Sequence, residues 1–168
     1  MAKEFPVKLL EFDDEGRLLF MGRAVILMGK DTVAELQHSV ETVLGERTAR
    51  LAFYHAGLSL GRDLAQRYSD VEDHESALKE LIGWASLAGW AAKMEVVRLT
   101  ESPPSAIVRA WGTYAENYPV KTKEGVCHIV SGLLAGFLSG RLGLRMVARE
   151  TACLAKGDSY CEFVISGR

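Results

Sequence analysis

The sequence predicts an α+β domain with helices packed on one side of an antiparallel sheet, and two observations carry that expectation. The elements come in groups, as hairpin, helices, hairpin, helix, hairpin, where a doubly wound parallel sheet would alternate strand with helix. The apolar period also changes along the chain: it is helical up to Gly89 and alternating from Met94 onward. The 168 residues suit one domain with one core, with 48% of them hydrophobic and 25% charged.

Residues 7–12 form a short apolar run. The turn Asp13-Asp14-Glu15-Gly16 follows, and residues 17–20 complete a hairpin over 7–20. Residues 24–28 are apolar and of undetermined type. Thr32-Val33-Ala34-Glu35 reads as a capping box opening a helix with Val33, Leu36, Val40, Val43 and Leu44 on its apolar stripe; Gly45 ends it. A longer helix is expected over 48–68. Its glycines, Gly57 and Gly61, share one face and each costs about 1 kcal/mol of helix propensity. Two compensations are open, a closely approaching backbone or room for a ligand. A third helix spans 75–87. Residues 94–99 and 106–111 pair around the loop 101–105. A fourth helix covers 124–142 with Gly132, Gly136 and Gly140 along one edge, and a last hairpin joins 144–154 to 160–165.

A net charge of −2 and the lack of any Lys/Arg block argue against a nucleic-acid partner. No run of 18 apolar residues exists, so no membrane span is expected, and residues 1–8 lack a signal-peptide core. Three cysteines without such a leader point to the cytoplasm and reduced thiols.

Those cysteines have a spacing of interest. Cys127 stands at the start of the fourth helix. Glu150 and Cys153 lie on one strand of the final hairpin, and Cys161 lies on the other. A turn at 156–159 sets positions 153 and 161 opposite each other, so two thiolates can close on one ion at about 2.3 Å. Three thiolates and a carboxylate make a closed tetrahedral set, which suits structural zinc and disfavours magnesium or calcium. Buried cysteines without metal, a Cys153–Cys161 disulfide, and His128 as the fourth ligand are the alternatives on spacing alone.

The segments Gly125-Val126-Cys127, Ser131-Gly132-Leu133-Leu134-Ala135-Gly136-Phe137 and Arg149-Glu150-Thr151-Ala152-Cys153 through Gly157-Asp158-Ser159-Tyr160-Cys161-Glu162-Phe163 resemble the 4-vinyl reductase domain family. Tyr54-x-x-Gly57-x-x-x-Gly61-Arg62 fits its pattern less strongly. The resemblance implies a fold similar to haem nitric-oxide-binding sensors and TRAPP subunits. It implies zinc on Cys127, Glu150, Cys153 and Cys161, and a homodimer in which the hairpin 7–20 takes part. It also implies a buried cavity for a small hydrophobic or aromatic molecule. Gly57, Gly61, Gly132 and Gly136 would make space there, and Trp84, Trp111 and Phe137 would supply walls.

The family's phenol sensors hold the phenol hydroxyl with a histidine and a tryptophan. Here Trp111 is one position out of step, Ala110 takes the matching place, and neither His55 nor His74 aligns, which argues against phenol and haem. The function so implied is a zinc-containing sensor-type domain that signals by protein contact. A tetrapyrrole vinyl reductase, or a tetrapyrrole or lipid carrier, is the alternative. No catalytic residue is nominated, because no nicotinamide or flavin fingerprint and no nucleophile–base set is found.

Overall fold

The alternation after Gly89 becomes a four-stranded sheet in the computed structural model, which describes residues 9–167. Its strands are β4 (Lys93–Glu101), β5 (Pro104–Trp111), β6 (Met146–Ala152) and β7 (Cys161–Gly167). They lie in the order β4-β5-β7-β6, and every neighbouring pair is antiparallel. On one face Ala106, Val108, Ala110, Cys161, Phe163 and Ile165 are fully buried. On the other, Arg109 pairs with Glu162 (Nε–Oε2 2.8 Å) and Trp111 meets Tyr160. One face is core and one is solvated, as period two requires.

The buried face is covered by helices. These are α1 (Lys30–Leu44), α2 (Glu46–Arg67), α3 (His74–Leu87) and α4 (His128–Leu142). Gly45 alone joins α1 to α2, at φ +82°, a conformation that a Cβ would oppose. Asp73 caps α3 by accepting from the Ser76 N–H at 2.6 Å. Helix α4 is buried along nearly its whole length, and Leu133, Leu134, Phe137 and Leu138 reach 0–1% exposure.

Two helix starts differ from the sequence reading. Helix α1 begins at Lys30, so the expected Thr32/Glu35 box does not form. The Val33 N–H already bonds the Gly29 carbonyl, and the Asp31 carboxylate takes the Thr32 N–H. Helix α4 begins at His128 and not at Glu124. The Val126 carbonyl is claimed by Gln37 Nε2 (2.9 Å) and Tyr114 Oη (2.8 Å), which holds that stretch outside the helix.

The N-terminal hairpin is a three-stranded meander, β1 (Leu10–Phe12), β2 (Leu18–Phe20) and β3 (Arg23–Ala24), with β2 central. The Asp13 carboxylate accepts from the N–H groups of Glu15 and Arg17 and closes the first turn. Val7 and Lys8, part of the expected hairpin, lie outside the described residues. Strand β6 is an edge, and hydroxyls from the helices satisfy its outward donors. The Met146 N–H bonds Ser139 Oγ (3.0 Å) and the Ala148 N–H bonds Tyr54 Oη (3.1 Å).

Candidate metal centre

Strand pairing brings the cysteines together. Strands β6 and β7 pair up to Ala152 opposite Glu162, so Cys153 leaves β6 just where Cys161 begins β7. Between them a 3-10 turn, Leu154–Lys156, runs into Gly157 at φ +96°. The loop is pinned at both ends: the Asp158 carboxylate accepts from the Cys153 N–H at 2.7 Å, and the Cys153 carbonyl accepts from Lys156 and Asp158. Cys127 arrives from above as the N-cap of α4.

The result is a buried cluster in which the ligand atoms of Cys127, Glu150, Cys153 and Cys161 all lie within 4.8 Å of one another. Cys127 Sγ is 3.6 Å from Cys161 Sγ, which is 4.0 Å from Cys153 Sγ. A tetrahedron with metal–sulfur bonds of about 2.3 Å has edges of about 3.8 Å. The three thiols are free, and the Cys153–Cys161 disulfide is not formed. His128 is not in the cluster. Its Nε2 points to Glu41 Oε1 at 3.8 Å, as expected of a helix neighbour turned about 100° away.

The carboxylate is held as a ligand would be. Glu150 Oε2 accepts the Cys127 N–H at 2.8 Å, while Oε1 is buried and has no hydrogen-bond partner. A buried carboxylate oxygen without a partner is costly unless a cation sits beside it. Gly125 makes the seat, because a Cβ there would lie 2.5 Å from Glu150 Cδ.

The electrostatics agree. Burial pushes the Glu150 carboxyl up to about 9, with the Cys153 thiol adding to it. Burial likewise pushes the Cys127 thiol well up. Hydrogen bonds from the other two thiols hold Cys153 down instead, so the cluster concentrates its one easy negative charge there. Four acidic groups cannot all ionise in this space by themselves, and a soft divalent cation removes that obstacle. The cluster could therefore hold a metal ion.

Sequence reasoning missed Thr113. It is fully buried, with Oγ1 3.5 Å from Cys127 Sγ and 3.4 Å from Cys161 Sγ. The stretch from 113 to 123 carries no period, so nothing in the pattern marks this residue.

The ligand-pocket candidates fall elsewhere. Gly57, Gly61, Gly132 and Gly136 line the seam between α2 and α4. A Cβ on Gly57 would meet the Ile129 carbonyl and come within 2.8 Å of Leu133 N; one on Gly132 would meet the Tyr54 carbonyl. Gly61 and Gly136 face Leu133 and Leu58 in the same way. Of the two readings left open for the glycines, close backbone approach is the one realised. Trp111 stands on the outer sheet face, under Lys93 Nζ at 4.6 Å, while Ala110 beside it points inward. Phe137 is fully buried with its ring edge-on to Tyr68 (5.7 Å), and Trp84 is half-buried against the core. None of the seven lines the surface clefts of about 710, 410 and 540 Å³.

Comparison with known proteins agrees with this geometry. Residues 115–166 match the vinyl-4-reductase domain family. An uncharacterized protein of Methanocaldococcus jannaschii is 30% identical over 112 residues, which are 67% of this chain and 61% of that protein; the chain thus spans under two thirds of that relative's length. Among solved structures, the phenol-responsive sensory domain of the transcription activator PoxR, with phenol, superposes with a TM-score of 0.80 at 17% identity, covering 95% of this chain and 85% of that one. A vinyl-4-reductase family protein from Methanocaldococcus jannaschii gives 0.59 at 17% identity, covering 86% and 84%. The expected wider likeness also holds for the fold. A trafficking protein particle complex subunit 3 from Naegleria fowleri reaches 0.52 (14% identity; 83% and 95% covered), and an H-NOX protein from Shewanella oneidensis reaches 0.51 (14%; 87% and 79%).

Proposed function

Because residues 115–166 match the vinyl-4-reductase domain family, we propose that this chain is a zinc-containing, sensor-type domain that binds a small apolar or aromatic molecule and reports it by protein contact. The observation that carries the reading is the buried cluster of three thiols and one partnerless carboxylate oxygen. Such a closed set suits zinc in a structural role, because it leaves no open position for a reacting water. Thiolate donors favour zinc over hard cations. When bound, the ion ties the N-cap of α4 to the β6–β7 knuckle. Thr113 then stands by two of the sulfurs and trims their negative charge by hydrogen bonding.

The likeness to the PoxR sensory domain supports small-molecule binding as the role, with the ligand lodged between the helices and the sheet. Trp84 and Phe137 remain candidate walls on that side. The glycine seam contributes a rigid α2–α4 unit, not space. Phenol is not the proposed ligand, since Trp111 faces the other side of the sheet. All 168 residues are taken as one domain. A homodimer is proposed through the meander and its continuation, where Phe12, Ile26, Leu27 and Met28 stand exposed. No helix among the described residues is long and apolar enough to cross a membrane.

The test is a thermal-shift screen of the metal-loaded protein against phenols, indoles, fatty acids and porphyrins, with sedimentation alongside. A ligand at about 100 times its Kd adds about 2.7 kcal/mol. At about 2–4 °C per kcal/mol the melting point rises by about 5–11 °C. A screen in which no member shifts the protein contradicts the ligand-binding reading, and a stable monomer at micromolar concentration contradicts the dimer.

A further inference from the structure

The largest cleft lies away from the metal cluster and shares no residue with it. It opens where α2 and α4 end, with a volume of about 710 Å³, and Arg62, Arg141 and Arg145 stand in its wall with Ser69, Ala65 and Leu144. No acidic side chain lines it, and among the described residues none of the three arginines has a carboxylate within 4.0 Å. The two other clefts differ, since Glu124 lines both, with Glu150 in one and Glu41 and Glu46 in the other.

Part of the arginine charge has a structural use. The Arg141 guanidinium donates to the carbonyls of Tyr68 (2.7 Å) and Val71, at the end of α2. Each helix C-terminus carries about half a negative charge, so the two together offset about one of three positive charges. Arg62 and Arg145 remain uncompensated. Arg141 Nε is buried and has no acceptor. A buried guanidinium N–H without a partner calls for one, and an oxyanion is the acceptor that also answers the net charge. Leu144, half exposed in the same wall, offers an apolar surface beside it.

We propose that this cleft binds a small organic anion, with its carboxylate or phosphate held by Arg62, Arg145 and Arg141 Nε–H and its apolar body against Leu144 and Ala65. The site goes beyond the zinc and sensor reading and does not rest on it. The test is a titration of the metal-loaded protein, following the Arg141 Nε–H resonance by NMR. The probes are benzoate, phenyl phosphate, inorganic phosphate and neutral benzamide. Saturable movement of that resonance is expected with benzoate or phenyl phosphate, and whichever binds more tightly names the anionic group. A double variant, Arg62→Gln with Arg145→Gln, keeps the capping Arg141 and alters only exposed side chains. It should retain its metal and melting point and weaken binding at least tenfold, the worth of about one charge-assisted hydrogen bond. The proposal is overturned if no anion binds at millimolar concentration, if benzamide binds as well as benzoate, if inorganic phosphate binds as well as phenyl phosphate, or if the double variant binds undiminished.

Discussion

Substituting Gly57 by alanine sets two effects of opposite sign against each other. Alanine gains about 1 kcal/mol of helix propensity over glycine. At position 57, though, the new methyl meets the Ile129 carbonyl and comes within 2.8 Å of Leu133 N. Ordinary contact between such atoms needs about 3.5 Å, so α2 and α4 must separate by more than about 0.5 Å. The obstacle is backbone and cannot rotate away, which places the cost near the upper end of the overpacking range, about 3 kcal/mol. The net loss is about 2 kcal/mol, or about 4–8 °C of melting temperature. Gly83→Ala is the internal control. Gly83 lies in exposed α3 backbone with nothing within 4 Å of its would-be Cβ, so only the propensity gain remains. It should raise the melting point by about 2–4 °C. Both are read by thermal unfolding at fixed metal content. A Gly57→Ala protein as stable as Gly83→Ala would refute the close-packed seam.

Gly125→Ala keeps all four metal donors but drives a methyl into the Glu150 carboxylate. It should lower metal affinity in a chelator competition by tenfold or more, with the fold retained. Burial, then Arg50, lowers the His128 pKa to about 4 in the folded chain. The unfolded chain therefore takes up a proton first as pH falls, and stability should drop from about pH 6.5 to about 4. Melting curves of His128→Gln should show a shallower slope in that window. Tyr54→Phe removes the acceptor of the Ala148 N–H on the β6 edge. It should cost about 1–3 kcal/mol and speed hydrogen exchange at that amide.

The periodic parts of the chain were legible. Alternating residues 106, 108 and 110 face the core, and the glycine spacings in two helices mark the seam where they meet. The four metal donors were legible because a hairpin turn converts a sequence interval into an opposition across strands. What the pattern could not reveal depends on distant partners. The start of α4 is fixed by Gln37 and Tyr114, some 89 and 12 residues from the Val126 carbonyl they hold. The glycines told of something close by but not of what it was, since a ligand and a backbone demand the same missing Cβ. Trp111 could be placed on its strand from the pattern, and the face it takes followed only from the register of β5 against β7.

The most direct measurement is X-ray absorption at the zinc edge on freshly purified protein, with metal counted by native mass spectrometry. One zinc per chain, bound by three sulfurs at about 2.3 Å and one oxygen at about 2.0–2.2 Å, is the predicted result. Cys161→Ser should lose the ion and stability together, because binding at a structural site is folding free energy. A wild-type chain that purifies folded and metal-free, with an unchanged melting point after chelation, would contradict the account.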